Sequence, residues 1–392
     1  MIRAAAMVRS GMMRCVLRSA ATHLACRNPR CCRQPTVLSR RCRPDLTAGM
    51  EPTRKPSAAS AKHIHYRPAM DGLRGLACLI VLVGHSVMSN IPETHPFLRG
   101  VPKVGVWLFF ALSAFLLTAR LLETGISFRS IAYYACARFL RIIPLFAIAV
   151  AFYFAVGTLG IRNLNEAVEV LTFQKSAGHL WTIPVELGFY VVLPFLLLCT
   201  QWLSIGASIV VIALVYLAAF WAWPAWHTPE NNLNIGWYLC AFIPSILAAM
   251  LVGSGRAIPD RWVGATLLAA LLYILFVKIG LGGDALDDLM DKFYVFGIIF
   301  AGTVMAIYEG SGRWSRLFAS RPLVVVGEAS FSIYLFHWAF IHWTRALPSW
   351  IGLPVSIAVS IAVGYASCRF IEMPLYAMRK WRLPASGTLR RA

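Results

Sequence analysis

One apolar stretch, residues 71–86 (DGLRGLACLIVLVGHS), carries ionisable side chains at a spacing that suits chemistry. Arg74 and His85 are eleven positions apart, so in an α-helix they lie within about 20° of one face and about 16 Å apart along the axis. Asp71 lies near the same face. An imidazole suits proton transfer near neutral pH. The stretch predicts a helix with an acid, a cation and a base on one side, although His85 could also merely hydrogen-bond a neighbouring helix.

The composition predicts the protein class. The chain has 392 residues, of which 58% are hydrophobic and 14% charged, whereas soluble domains carry about 25% charged residues. The expected fold is an all-α polytopic membrane protein, a bundle of about ten transmembrane helices in a lipid bilayer. The predicted spans are centred near residues 80, 112, 150, 191, 213, 245, 271, 300, 336 and 361. Ionisable groups inside such spans are rare and are functional by default.

The net charge of +20 does not indicate a nucleic-acid partner, because much of it lies in the first 62 residues. Residues 1–62 hold 13 Lys and Arg against Asp45 and Glu51, and they show neither helical nor strand periodicity. We expect a basic, disordered N-terminal extension. It is either a targeting presequence or a stretch upstream of the real start at Met50. Its cysteines lack the paired spacing of a metal site, and we expect no metal.

The distribution of basic residues predicts the topology. With the N-terminus in the cytoplasm, the inward loops and the C-terminal tail hold 14 Lys and Arg, while the opposite loops hold six and collect acids. The positive-inside rule then places both termini on the cytoplasmic side of the inner or plasma membrane. In this assignment Arg138 and Arg141 lie at the cytoplasmic end of the third span, directly before its apolar run.

Six segments in order resemble the membrane acyltransferase-3 family. RPAMDGLRGLACLIVLVGHS resembles its opening helix, in which an Arg is followed after ten residues by a His, here Arg74 and His85. GVWLFFALSAFLL resembles the second helix, with Ser113 in a Ser-Ala-Phe triplet where Ser-Gly-Phe is usual. ARFLRIIPLF supplies an Arg-x-x-Arg pair at Arg138 and Arg141.

The resemblance continues through the second half of the chain. HLWTIPVELGFYVVLPFLL resembles the family's His-Leu-Trp segment and matches Glu186, although Leu and Gly follow where Glu-Gln is frequent. SFSIYLFHW, which contains His337, and RFIEMPLY, which contains Glu372, resemble the family's last two segments. The resemblance predicts an acyltransferase-3-like membrane domain over 66–381, followed by a basic cytoplasmic tail over 382–392. It implies a stand-alone form without a C-terminal esterase-like domain.

The resemblance implies a membrane-bound O-acyltransferase. An acyl group, most commonly acetyl, would pass from acyl-CoA on the cytoplasmic side to a hydroxyl of a cell-envelope glycan or lipid-linked sugar. Acyl-CoA (acetyl-CoA) would be a co-substrate, with no permanently bound cofactor, and the oligomeric state stays open. The alternative is a multi-span transporter or flippase of a lipid-linked saccharide, although the chain shows no clear half-to-half similarity.

The resemblance and the residue chemistry together assign roles. His85 is expected to act as a base or as a transient acyl carrier, and Glu186 is the second catalytic candidate. Guanidinium groups bind phosphate bidentately, so the candidate donor-binding residues are Arg74, Arg138 and Arg141. The supporting candidates are Asp71, Ser113, His179, His337 and Glu372. For Glu372 an Arg369–Glu372 pair that closes the last helix is an alternative, and for His337 a bond within the bundle.

A short repeat gives one further candidate. Residues 253–256 and 310–313 both read Gly-Ser-Gly-Arg after an inward-running helix. Such turns either cradle a phosphate with exposed N–H groups or form an ordinary tight turn, and we favour the turn.

Overall fold

The computed structural model describes residues 67–280 and 289–377, and the regular elements in them are helical. The expected extension over 1–62 and the tail over 382–392 lie outside the described residues. The α-helices are α1 (Pro68–Asn90), α2 (His95–Leu98), α3 (Val101–Thr124), α4 (Phe128–Val156), α5 (Leu164–Leu171), α6 (Thr182–Thr200), α7 (Ile205–Ala222), α8 (Leu239–Gly253), α9 (Arg261–Gly280), α10 (Phe293–Tyr308), α11 (Arg313–Phe318), α12 (Arg321–Glu328), α13 (Ser330–Thr344), α14 (Ser349–Ser367) and α15 (Met373–Ala377).

Eight helical segments in the described ranges are long and apolar enough to cross a membrane, which confirms the all-α polytopic class. They are Pro68–Asn90, Val101–Thr124, Phe128–Val156, Gly178–Thr200, Ile205–His227, Ile235–Gly253, Arg261–Ile279 and Ser349–Ala377. The other two predicted spans, near residues 300 and 336, differ from simple spanning helices. α10 has only 16 residues, about 24 Å, which is shorter than a hydrocarbon core of about 30 Å. α12 and α13 form one bent pair with an angle of 78° between them.

Close helix contacts bring α1 against α12. A Cβ atom built on Gly72 or Gly75 would collide with backbone carbonyl groups of Phe318 and Leu323, and one on Gly327 would collide with the carbonyl of Asp71. Only glycine allows the backbones to come this close, as is common where helices pack in membranes. This contact sets the depth and orientation of the first turns of α1.

The start of α4 differs from the expected position. Ser127 caps the helix in a reciprocal capping box with Ser130, so the helix begins at Phe128. Arg138 and Arg141 therefore lie about three turns inside α4. They still come directly before the apolar run 142–156, while the capped first turns of α4 extend the helix ahead of them.

An aromatic cluster fills the centre of the bundle. Trp107 of α3 is fully buried and its ring lies 5.5–6.0 Å from the rings of Phe110, Trp181, Tyr238 and Phe293. These rings come from α3, the turn before α6, the turn before α8, and α10. The cluster ties those helices together and leaves the polar side chains of α1, α4 and α13 beside it.

Candidate active site

A pocket lined by both polar and apolar side chains opens between α1, α3, α4, α6 and α13. We call it the arginine pocket and define it by six polar lining residues: Arg74, Ser113, Arg138, Arg141, Glu186 and Tyr190. The start of α13, where the bent span turns, also contributes Ser330 and Phe331 to its wall. Tertiary packing thus brings the three predicted donor-binding arginines to one cavity, together with Ser113 and Glu186.

The three guanidinium groups are held differently. Arg74 Nη1 donates to Asp71 Oδ1 at 3.1 Å, an i,i+3 pair on α1. Arg138 and Arg141 form no ion pair with a carboxylate within 4.0 Å among the described residues. Arg138 Nε is buried without a hydrogen-bond partner in the described part of the chain. An unpaired buried donor is costly, so these donors favour an anionic ligand in the pocket.

Glu186 lies on the pocket wall and is held through one oxygen. Its Oε1 accepts a hydrogen bond from Ser113 Oγ at 2.8 Å and another from the Tyr190 hydroxyl. Tyr190 is a site residue that the sequence reasoning missed. Its position four residues after Glu186 on one helix face was the available signal. Glu186 therefore joins α3 to α6 within the arginine pocket.

Three imidazoles, His85, His179 and His337, lie together at a second place, which we call the histidine group. The rings of His85 and His337 stack with centroids 5.4 Å apart, and the ring of His179 lies 4.6 Å from that of His337. His337 and His179 are buried, whereas His85 keeps part of its surface exposed. The structure thus brings together one predicted catalytic and two predicted supporting histidines from distant parts of the sequence.

Hydrogen bonds fix which ring nitrogen of His337 and of His85 carries the hydrogen. His337 Nδ1 lies 2.7 Å from the Tyr334 carbonyl oxygen, which can only accept, so Nδ1 carries the hydrogen. In neutral His337, Nε2 is then an acceptor, and it lies 3.1 Å from His85 Nδ1. His85 Nδ1 must therefore donate, which leaves His85 Nε2 with a free lone pair. This assignment follows from the bonding pattern of two neutral rings.

Tyr334 separates the histidine group from the arginine pocket. It lines the pocket, and its ring lies 5.2 Å from that of His179 and 5.7 Å from that of His337. Its hydroxyl donates to the His179 carbonyl at 2.6 Å and accepts from Thr182 Oγ1 at 3.0 Å. His85 is not part of the pocket wall. The expected single site is two adjoining compartments with Tyr334 between them.

α1 holds Arg74 and His85 eleven residues apart, about 16 Å along the helix axis, as the sequence predicts. α1 ends at Asn90, only five residues after His85, so His85 lies nearer that end than the middle of the helix. Arg74 and His85 therefore belong to opposite halves of the same helix.

Comparison with known proteins decides the family. A family model described as an acyltransferase domain matches residues 67–369. The chain belongs to the acyltransferase-3 family. It is similar to the peptidoglycan O-acetyltransferase OatA of Listeria monocytogenes, with 24% identity over 364 residues, 79% of this chain and 56% of the relative. It is also similar to the O-acetyltransferase OatA of Staphylococcus aureus, with 21% identity over 79% of this chain and 57% of the relative.

A third similar protein, a putative O-acetyltransferase of Staphylococcus aureus strain MSSA476, is 22% identical over 80% of this chain and 58% of its own length. The chain thus spans little more than half the length of these curated relatives. No solved structure matches it. With its apolar helices, the acyltransferase-3 chain is an integral membrane protein.

Glu372 of the acyltransferase-3 chain lies in neither compartment. It is buried in the π-helical turn Cys368–Glu372 and accepts a hydrogen bond from Ser332 Oγ at 2.7 Å. The alternative of an Arg369–Glu372 pair is not what the described residues show, since Arg369 contacts Met373 instead. The bond to Ser332 ties the π-helical turn to α13, so Glu372 supports the helix that carries His337.

The second Gly-Ser-Gly-Arg turn already holds an anion of the protein itself. The carboxylate of Asp260 accepts hydrogen bonds from the backbone N–H groups of Trp314 and Ser315, at 3.0 and 2.9 Å. The Ser315 hydroxyl also donates to it at 2.5 Å. An internal carboxylate thus takes the donors that a phosphate would need, which favours the tight-turn interpretation.

Proposed function

We propose that this acyltransferase-3 protein is a membrane O-acyltransferase that moves an acyl group, most often acetyl, from acyl-CoA to a hydroxyl of a cell-envelope glycan or lipid-linked sugar. The observation that carries the proposal is the free lone pair on His85 Nε2, directed by His337, next to a pocket in which the buried Nε of Arg138 has no hydrogen-bond partner among the described residues. The names of the O-acetyltransferase relatives support the same reaction class.

The arginine pocket suits the charged end of the donor. Arg138 and Arg141 offer donors for phosphate, and Arg74 adds a third cation whose orientation Asp71 holds. The nucleotide of acyl-CoA would bind here. Its slim pantetheine arm would pass Tyr334 and carry the thioester toward His85, about 16 Å along α1 from Arg74.

The histidine group suits the transfer step. His85 Nε2 accepts the proton of the acceptor hydroxyl while the oxygen attacks the thioester carbon. The carbon–sulfur bond then breaks, and the thiolate of CoA takes the proton from His85. In the second possible route, Nε2 itself attacks the thioester carbon, the carbon–sulfur bond breaks and CoA leaves as thiolate. The acceptor oxygen then attacks the acyl-imidazole carbon, the carbon–nitrogen bond breaks, and the proton of the hydroxyl passes to the CoA thiolate. Both routes use the same nitrogen, and both need His337 to hold Nδ1 protonated.

Glu186 would act in this scheme as a positioning residue. It lies in the arginine pocket, with hydrogen bonds to Ser113 and Tyr190, and among the described residues it forms no hydrogen bond with His85. Arg141 interacts electrostatically with Glu372 and, more weakly, with Glu186, so both carboxylates offset its charge. This placement favours a role in shaping the donor site over contact with the reacting atoms.

The two compartments also suit transfer across the membrane. The basic loops support a cytoplasmic start of α1 under the positive-inside rule. Arg74 then lies on the cytoplasmic half and His85 on the outer half, so donor and acceptor would approach from opposite faces. Both termini would be cytoplasmic in the inner or plasma membrane.

One feature favours the transporter alternative. The bent pair α12–α13 is the kind of interrupted helix found at transporter binding sites. A transporter or flippase of a lipid-linked saccharide would move its substrate without consuming acyl-CoA, and it would not require the nucleophilic nitrogen of His85.

The test is acyl-CoA consumption by purified protein in lipid nanodiscs, with and without a glycan acceptor. The variant His85→Ala should lose on the order of 10²–10⁴-fold in turnover, because it removes the reacting nitrogen. Acyl-CoA binding, measured by titration, should persist and would show that the variant is folded. Turnover by His85→Ala equal to wild type would exclude the catalytic assignment, and saccharide movement without acyl-CoA consumption would favour the transporter.

A further inference from the structure

A second series of contacts starts at His85, on the side away from the arginine pocket, and leads to the end of the bundle. The Trp338 ring meets the ring of His85 edge-on, with centroids 5.3 Å apart and planes at 89°. The guanidinium carbon of Arg345 lies 5.9 Å from the centre of the Trp338 ring. Arg345 Nε donates to Ser89 Oγ at 2.6 Å. Trp338 thus joins the proposed reacting residue to an exposed cation at the ends of α1 and α13.

The charge of Arg345 is not neutralised by the protein. Ser89 is uncharged, and no ion pair of Arg345 occurs in residues 67–280 and 289–377. Two other cations at this end of the bundle do have carboxylate partners at 3.0 Å: Lys175 pairs with Glu166 and Lys292 with Asp291. Through its single bond to Ser89, Arg345 is oriented while its terminal nitrogens are left for a ligand.

We propose that Ser89, Trp338 and Arg345 form an acceptor subsite that selects sugars carrying an anionic group. The inference rests on the proposed acyl transfer and names the class of acceptor. A guanidinium fork binds carboxylate or phosphate in a bidentate manner, and an aromatic ring gives a sugar an apolar wall. With its anionic group on Arg345, a sugar would lie along Trp338 and present a hydroxyl to His85 Nε2.

The subsite also fits the direction of transfer. Arg345 lies in the short connection between α13 and α14, at the same end of the bundle as Ser89, whereas Arg74 is near the start of α1. Donor and acceptor anions would therefore bind at opposite ends of one path, each on its own arginine. His85 lies between them, which allows the acyl group to pass while the two charged substrates stay apart.

The test compares sugars that share a ring but differ in charge. Wild-type protein in nanodiscs receives acetyl-CoA and one of three probes: N-acetylglucosamine, N-acetylmuramic acid, which adds a carboxylate, or N-acetylglucosamine 1-phosphate. Mass spectrometry gives kcat/KM for each. The variants are Arg345→Gln, Arg345→Lys and, as matched control, Arg162→Gln, which removes an exposed arginine at the same end of the bundle.

We expect wild type to prefer at least one anionic sugar over the neutral one by about tenfold or more, the worth of one charge-assisted hydrogen-bonded contact. Arg345→Gln should reduce that ratio about tenfold, Arg345→Lys should keep part of it, and Arg162→Gln should retain it fully. Whether the carboxylate or the phosphate probe carries the preference identifies which anion the acceptor bears.

Two results would overturn the inference alone: a wild-type enzyme without preference for charge, or a preference that survives Arg345→Gln. Acetyl-CoA hydrolysis without transfer to any of the three sugars would also exclude this acceptor class and leave the donor chemistry standing. Absence of acetyl-CoA consumption under all conditions would instead contradict the proposed function itself.

Discussion

In the arginine pocket, the buried Nε of Arg138 has no hydrogen-bond partner in the described part of the chain, whereas in the histidine group a directed series of hydrogen bonds joins His85 to the Tyr334 carbonyl. Unpaired donors are suited to bind an anionic ligand that accepts their hydrogen bonds. A fixed series with one free lone pair is suited to react. In the proposed reaction, binding and chemistry would therefore be divided between the two compartments, with Tyr334 at the boundary.

The division has a physical reason. Arginine stays charged under all ordinary conditions and binds anions, but it is a poor base. Neutral imidazole can accept a proton and return it, and its usefulness depends on which nitrogen is free. If the cations lay beside His85, they would stabilise the neutral form of the imidazole. They would also attract the leaving CoA thiolate away from the proton that it takes from His85. Separation along α1 allows each group to keep its own surroundings.

Among the variants that test this division into two compartments, the largest change in kinetics is expected on replacing His337. Replacing it with Leu removes the acceptor for His85 Nδ1, so His85 can adopt the other tautomer with Nδ1 free. We expect kcat to fall on the order of 10–100-fold while the KM for acyl-CoA changes little. Steady-state kinetics of the nanodisc-embedded enzyme measure both.

The matched variant is His337→Gln, whose amide oxygen can still accept from His85. It should recover part of the lost kcat, which a merely structural role for His337 would not predict. Equal kcat values for the Gln and Leu variants, or a change confined to KM, would contradict the tautomer assignment.

The arginine pocket gives the next largest effect. Arg138→Gln and Arg141→Gln should each raise the KM for acyl-CoA about tenfold, since a charge-assisted hydrogen bond contributes roughly 1.5–3 kcal/mol. Their kcat values should change much less, because neither residue is placed at the reacting atoms. Kinetics over a range of acyl-CoA concentrations separate the two parameters.

Arg129→Gln is the control for that experiment. Arg129 is an exposed arginine in the first turn of the same helix, outside the pocket. Its replacement should leave the KM for acyl-CoA at the wild-type value. If all three variants change KM equally, the pocket arginines would act through the overall charge of the protein and not as a binding site.

The smallest effect concerns Asp260, which tests whether the Gly-Ser-Gly-Arg turn is a third anion site. Burial raises the pKa of Asp260, but hydrogen bonds from Ser315 and Trp314 outweigh it and hold the pKa below its ordinary value. The ionised carboxylate therefore stabilises the fold above about pH 4, the usual pKa of Asp, and this contribution is lost as the pH falls through the lower folded pKa. Asp260→Asn should reduce stability by about 1 kcal/mol at neutral pH.

Thermal unfolding of wild type and Asp260→Asn, followed by tryptophan fluorescence between pH 3 and 7, measures this difference. The gap between the two Tm values should close toward the acidic end. The KM for acyl-CoA should not change, because the turn already holds its own carboxylate. An increase in that KM would place a donor phosphate at the turn and contradict the division into two compartments.

Several features of the protein could be predicted from local sequence. Hydropathy indicates the membrane class because lipid accepts only apolar helices of sufficient length. Helical periodicity places Arg74 and His85 on one face of α1, and the motif series identifies the family. The i,i+4 spacing of Glu186 and Tyr190 was an available signal for their hydrogen bond.

The tertiary structure decided the contacts between helices. His85 and His337 are 252 residues apart, and Ser113 and Glu186 are 73 apart, so no local pattern specifies that they touch. The starting point of α4 depended on the Ser127 cap, and Gly327 of the bent pair α12–α13 packs closely against Asp71 of α1. Hydropathy reports only how apolar a segment is. The arrangement of polar groups in a bundle depends instead on which helix faces pack together, and only the folded chain determines that.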